Sequence, residues 1–279
     1  MWQSGRRGTV ADMADQATQA GQATPEPTMP AQSRHAAPGA ALPSVLFVHG
    51  IRTSATMWRA QRAHLEAIGV RADAVDLPGH GRSMEQEFTV QRCRQAIEVA
   101  CQALPAGPRI IVGLSLGGYL ALDWAARTPS RVDAVLAAGC SVRPRGPALA
   151  GYRRLAGLIG RLPDKGRALN DAVARRMLRG DAVRDISAGG VAVDVMSPAL
   201  AAIGGVDPLA DLRRIQAPVW IVNGAWDHFR IEQRRFWDAV NTGRLIVVPR
   251  AGHMVSLEQP QVFNDILTTL VHEVHTSRG

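Results

Sequence analysis

The sequence predicts an α/β fold, a doubly wound and mostly parallel sheet carrying an inserted helical segment. Three observations carry this expectation. Short β-branched runs alternate with helical spacing from Ser44 onward, the strands stop between about Arg143 and Val206, and the alternation resumes at Pro218. A chain of 279 residues, 46% of them hydrophobic, is long enough for one such domain with an insertion. Aromatic residues make up only 5%, so Val, Leu, Ile and Ala must build most of the core.

Residues 1–42 are rich in Gln, Ala, Thr, Pro and Gly without apolar periodicity, and read as a disordered tail in which Met13 and Met29 are alternative starts. VLFV, Val45 to Val48, is a buried strand ending in His49-Gly50. Thr56 to Ala67 has helical spacing, and Ala72 to Val75 is a second strand closed by the turn-rich DLPGHGRS, Asp76 to Ser83. Thr89 to Leu104 is an amphipathic helix, Arg109 to Leu114 a strand, and GLSLGG leads into a small-residue helix reaching Arg127. Val132 to Ala138 is the next strand. After the insertion come the strand in WIVNG, a helix from Glu232 to Val240, the strand Leu245 to Val248, and a closing helix from Pro260 to about Val274. The expected division is a core of 43–142 and 207–276 with a helical cap at 143–206.

Charge and composition narrow the function. A net charge of +8 would ordinarily suggest nucleic acid or an anionic membrane. Lys165 is the only lysine, however, and an Arg bias across an Ala-rich chain has the look of base composition rather than phosphate recognition. The charge is also local. From Arg143 to Arg184 eleven basic residues face Asp164, Asp171 and Asp181, a balance of +8, while the remaining 21 basic and 21 acidic residues cancel. No nucleic-acid partner is expected. Cys93, Cys101 and Cys140 lack the spacing of a disulfide framework or a zinc site, and read as small buried hydrophobes. No run approaches the ~18 apolar residues of a membrane span, and Arg6-Arg7 is not followed by an apolar stretch, so the cytoplasm is the expected compartment. No cofactor and no metal are expected.

The chemistry lies in three loops. GLSLG, Gly113 to Gly117, matches G-x-S-x-G between a strand and a helix, where a nucleophilic Ser115 would stand clear of the sheet on a sharp turn. A serine hydroxyl needs a base. Of eight histidines, His253 is the well-placed one, because its loop follows a strand on the same sheet edge as Ser115; His49 and His80 read as structural turn residues. Asp227, just past the strand in WIVNG, would fix the imidazole tautomer, or would simply cap the following helix. The oxyanion of a tetrahedral intermediate requires two donors, expected from the backbone N–H groups of Leu116 and Ile51.

His49-Gly50, DLPGHGRS, GLSLGG, GAWD at Gly224–Asp227 and AGH at Ala251–His253, in this order, resemble the α/β-hydrolase superfamily, most closely its bacterial esterase, lactonase and cofactor-free haloperoxidase branch. The resemblance runs from Val45 to Val274. It implies the α/β-hydrolase fold, the chain order Ser115, Asp227, His253, and a helical cap over the pocket. Members usually begin with a β-hairpin that has no counterpart here, so an exposed sheet edge is expected. Ser115 departs from the haloalkane dehalogenases and epoxide hydrolases of this fold, which carry Asp at that turn. The implied activity is a serine esterase, lactonase or thioesterase acting on a small-molecule acyl substrate, anionic if the basic segment steers it. Acyl transfer or perhydrolysis would use the same residues, and a non-catalytic ligand receptor is the alternative of another class.

Overall fold

The computed structural model describes residues 41–178 and 180–277. The reading of residues 1–40, including both alternative starts, lies outside them, as does Arg179. Six strands, β1 (Ser44–Val48), β2 (Ala72–Val75), β3 (Arg109–Leu114), β4 (Ala134–Ala138), β5 (Val219–Gly224) and β6 (Gly243–Val248), form one sheet in the order β2-β1-β3-β4-β5-β6. Every neighbouring pair is parallel. Helices α1 (Arg59–Ala67), α2 (Val90–Gln102) and α3 (Leu116–Arg127) occupy the first half. The second half carries α4 (Gly146–Ile159), α5 (Arg167–Met177), α6 (Asp181–Ala188), α7 (Met196–Ile203), α8 (Pro208–Arg214), α9 (Gln233–Ala239), α10 (Val255–Glu258) and α11 (Pro260–Ser277).

Strand alternation divides the core between the two faces. Val45, Phe47, Ile110, Val112 and Leu114 pack with Trp58 and with Phe263 and Leu267 of α11, whereas Leu46, Val48 and Ile111 meet Ile97 of α2 and Leu120 of α3. This is the period of two expected of a strand, applied to a sheet covered on both sides. Helix α3 is buried from Leu116 through Ala125, which explains its small residues.

The chain places β2 on one side of β1 and β3 on the other, so the winding direction reverses between β1 and β3. The loops that leave these two strands therefore open side by side, the position at which open α/β sheets hold ligands. Register completes the arrangement. Val48 is level with Gly113, Leu114 with Ala138, and Ala138 with Val222, so the exits of β1, β3, β4 and β5 end at one height.

The structure shifts some expected bounds. Thr56 to Ala67 divides into a 3₁₀ turn at Ala55–Trp58 and then α1, because the Ser54 hydroxyl accepts from the Thr56 amide and starts the turn early. Val132 and Asp133 precede β4, the Asp133 amide donating to the Arg109 carbonyl at 2.8 Å. Between β4 and α8 the described residues contain helices α4 to α7 and no strand. All three cysteines are buried, free thiols.

One buried carboxylate opposes folding. Asp211 on α8 is 4% exposed and its Oδ2 has no hydrogen-bond partner. Burial, and then the charge of Asp123, push its pKa up to about 6. A carboxyl whose folded pKa is raised stabilises the fold below its unfolded value, and that contribution is lost as pH rises through about 6. Asp211→Asn should therefore raise Tm at pH 8 by about 2–4 °C, with a clearly smaller gain at pH 5. Thermal melts of both proteins at both pH values check this, and equal gains would remove burial of the charge as the cause.

Candidate active site

Ser115 occupies the one-residue turn between β3 and α3 with φ 55° and ψ −117°. For a non-glycine residue this region costs about 1–3 kcal/mol, so the surroundings must hold it there. They do so from both sides. The Ser115 amide donates to the Ala138 carbonyl at 2.8 Å, and its own carbonyl accepts from the Tyr119 amide at 3.1 Å. A Cβ at Gly117 would lie 2.2 Å from the Val48 carbonyl oxygen, and one at Gly113 would lie 2.2 Å from that of Gly117. No side chain fits at either position, and α3 is thereby seated directly on the sheet.

His253 follows β6, and its Nε2 lies 3.0 Å from Ser115 Oγ. On the other side of the ring, Nδ1 lies 3.1 Å and 3.2 Å from the two carboxylate oxygens of Asp227. This spacing suits an Nδ1–H that donates to the carboxylate, leaving Nε2 to accept the serine proton. Glu258 on α10 fixes the loop: its carboxylate accepts the Gly252 amide at 2.8 Å and the Met254 amide at 2.9 Å, clamping the backbone on both sides of His253. The Phe229 ring covers the imidazole with centroids 4.6 Å apart.

Asp227 has a wholly buried side chain. Burial raises its pKa, but the hydrogen bond and charge of His253, together with the Phe229 amide at 2.8 Å, outweigh burial and hold it below the usual carboxylate range. The Phe229 contact also caps the 3₁₀ turn His228–Arg230. The cap considered for Asp227 from the sequence thus falls on a short turn rather than on a helix, and the same carboxylate faces His253 Nδ1.

The loop after β1 is held by two neutral histidines. His49 is fully buried, its Nδ1–H donating to the Gly50 carbonyl at 2.8 Å and its Nε2 accepting the Leu77 amide at 3.0 Å. Burial and the neighbouring His80 bring its pKa down to about 3. His80, also lowered mainly by burial, accepts the Arg52 amide at 3.2 Å and donates to the Pro78 carbonyl at 3.0 Å. Ile51 is therefore presented from a pinned turn, and it lines the same cavity as Ser115 and Leu116. Among the described residues, neither the Ile51 nor the Leu116 amide has a hydrogen-bond acceptor.

These groups face a cavity of about 180 Å³ with Ser115 in its wall. Its lining is largely apolar: Ile51, Leu116 and Tyr119 from the sheet side, Leu149 and Tyr152 from α4, Leu200 and Ile203 from α7, and Phe229 and Ile231. Among the described residues the one cation in the lining, Arg143, is already committed. Its guanidinium donates to Glu232 at 2.6 and 2.9 Å, and these hydrogen bonds pull the Glu232 pKa down to about 2. Arg153, Arg154, Arg175 and Arg176 of the basic segment are exposed and do not line this cavity. Among the described residues no cluster of three or more His, Cys, Asp or Glu is arranged to hold a metal.

Sequence reasoning missed Glu258, Phe229, Tyr152 and the Arg143–Glu232 pair. The only local signal for the clamp was the glutamate in AGHMVSLEQP, five residues after His253.

A profile of the alpha/beta hydrolase family matches residues 45–266. An esterase of Mycobacterium tuberculosis is 35% identical over 97 residues, which cover 34% of this chain and 32% of that protein, so the aligned stretch spans about a third of the curated relative. Among solved structures, a thermophilic esterase from Thermogutta terrifontis with malate bound is similar at a TM-score of 0.68 and 24% identity, over 85% of this chain and 92% of the other. The enol-lactonase from Burkholderia xenovorans reaches a TM-score of 0.69 at 21% identity, over 85% and 94%. At these identities the structural likeness speaks for the fold. The family match begins in β1 and ends in the last helix, and the strand order and the turn at Ser115 accompany it: the chain belongs to the alpha/beta hydrolase family.

Proposed function

We propose that this protein is a serine hydrolase that cleaves an ester, lactone or thioester of a small molecule through an acyl-enzyme. The observation that carries the reading is the 3.0 Å approach of His253 Nε2 to Ser115 Oγ with the buried Asp227 carboxylate behind the ring. In the first half-reaction Ser115 Oγ attacks the carbonyl carbon while His253 takes its proton, and Asp227 stabilises the imidazolium. The amides of Ile51 and Leu116 receive the oxyanion, and having no internal acceptor among the described residues they need break no bond to do so. Collapse expels the alkoxide, lactone oxygen or thiolate, which leaves with the proton from His253. Water then attacks the acyl-enzyme, His253 accepts its proton, and the acid departs with Ser115 regenerated. The same acyl-enzyme would pass its acyl group to an alcohol or to hydrogen peroxide if either outcompeted water.

Residues 143–206 act in this reading as a cap, since α4 and α7 supply one wall of the cavity. The substrate class follows from that wall. It is apolar and narrow, and its one guanidinium is neutralised by Glu232, which suits a short, uncharged acyl group. The earlier expectation of an anionic substrate loses its main support, because the unpaired arginines of the cap lie elsewhere.

Ser115→Ala should abolish both turnover of p-nitrophenyl esters and labelling by a fluorophosphonate probe; labelling that persists in the variant overturns the assignment. Asp227→Asn should keep the fold and lower kcat by ~10⁴, measured on the preferred ester of a chain-length panel. Glu232→Gln, which releases Arg143, should raise kcat/KM for a monoester bearing a distal carboxylate by roughly two- to fivefold relative to a neutral ester. An unchanged ratio would show that Arg143 does not address the acyl chain.

A further inference from the structure

Six of the thirteen large hydrophobic side chains that are exposed among the described residues fall within the 23 residues from Leu155 to Met177. They are spaced as stripes. Leu155 and Leu158 lie one turn apart on α4, Leu162 continues the row into the following turn, and Leu169, Val173 and Met177 recur every four residues along α5. All six are between 43% and 59% exposed. The inner faces of the helices are separate from these stripes: Leu149, Tyr152 and Ala156 point inward on α4, and Ala174 on α5. Ile159 packs against Gly166, where an added Cβ would lie 2.2 Å from its Cγ2, so the two helices diverge from one tight turn with Leu162 between the stripes. Apolar rows on adjacent exposed helices are uncommon on a monomer surface and mark a place where something docks.

The charge of the same segment identifies the partner. From Arg153 to Met177 seven basic side chains face only Asp164 and Asp171, a balance of +5. Six of the seven, Arg153, Arg154, Arg161, Arg167, Arg175 and Arg176, make no ion pair or side-chain hydrogen bond among the described residues, whereas most arginines of the core are paired. Asp164 is engaged by the Gly166 and Ala168 amides, and Lys165 pairs with Asp194. Arg153 and Arg154 also border an open cavity of about 380 Å³ with Ser197, roomy enough for a phosphate group. Apolar stripes bordered by unpaired guanidinium groups match a surface that is anionic at its face and apolar beneath it.

We infer that α4, α5 and the turn joining them form a docking face for an anionic lipid surface. The leucine, valine and methionine side chains enter the headgroup–acyl boundary and the arginines bind phosphate groups above it. Because Leu149 and Tyr152 of the same α4 line the cavity beside Ser115, docking would set the cavity next to the lipid phase and favour amphiphilic esters. That consequence rests on the esterase reading; the docking does not.

The two are separated by measuring binding on the full-length Ser115→Ala protein, which needs no activity. Co-sedimentation with phosphatidylglycerol vesicles should be strong at low salt and fall as salt rises, and phosphatidylcholine vesicles should bind far less. Leu158→Ser with Val173→Ser, and separately Arg154→Gln with Arg176→Gln, should each weaken vesicle binding by about tenfold or more. In the otherwise unaltered enzyme both pairs should leave hydrolysis of a water-soluble short ester and the thermal melt unchanged. Absence of binding to phosphatidylglycerol vesicles overturns the proposal. So does equal binding by the Leu158→Ser, Val173→Ser protein, or a preference for a soluble acidic polypeptide over the vesicles, either of which would make the face a site for acidic protein.

Discussion

The arrangement at Ser115 depends on the absence of atoms. Helix α3 approaches β1 and β3 so closely that a methyl group at Gly113 or Gly117 would overlap backbone oxygen or carbon. That contact fixes where the helix begins, and the beginning of the helix forces Ser115 into its positive φ with the hydroxyl raised above the strand ends. The rest of the site is built at that height. The registers of β3, β4 and β5 place the turn bearing Asp227 level with the serine, and amides of Ala225 and Trp226 bond to carbonyls of Val248 and Ala251, tying the Asp227 turn to the His253 loop. Packing tolerances of a few tenths of an ångström in the sheet thus become positional accuracy in the side chains.

Two buried aspartates show how surroundings decide the fate of a charge. Asp227 and Asp211 are both almost fully inaccessible. Asp227 accepts from His253 and the Phe229 amide, so its ionised form is favoured despite burial. Asp211 has one oxygen without a donor and Asp123 nearby, so its protonated form is favoured. Desolvation acts on both, and the hydrogen bonds set the sign. At His49 and His80 burial wins instead, keeping both rings neutral and able to accept backbone amides, which a charged ring could not do at Nε2.

Much of this was legible in the sequence because it is governed by local rules. Alternation of strands and helices, glycines at a tight strand-to-helix turn, and the order of Ser115, Asp227 and His253 each leave a mark within a few residues. The strands fell within two residues of their expected bounds for that reason. What escaped was non-local. Arg143 and Glu232 are 89 positions apart, and nothing near either announces the pair that neutralises the cavity's one cation. Glu258 acts on backbone amides, which are the same in every sequence, so its clamp leaves no pattern to read. Helix α4 carries several Ala, Gly and Leu residues, and composition alone does not say that Leu149 turns inward while Leu155 and Leu158 turn out.

Lys165, the chain's single lysine, stands in the turn between α4 and α5 with φ 51°, paired with Asp194 and half exposed. The other 31 of the 32 Lys and Arg side chains are guanidinium groups, unreactive toward the activated esters used for amine coupling. Apart from a terminal amine, such reagents meet one target, in the turn that follows the cavity-lining helix α4. The protein therefore comes with a ready address for a single dye, spin label or surface tether, and molecules coupled through it would share one orientation.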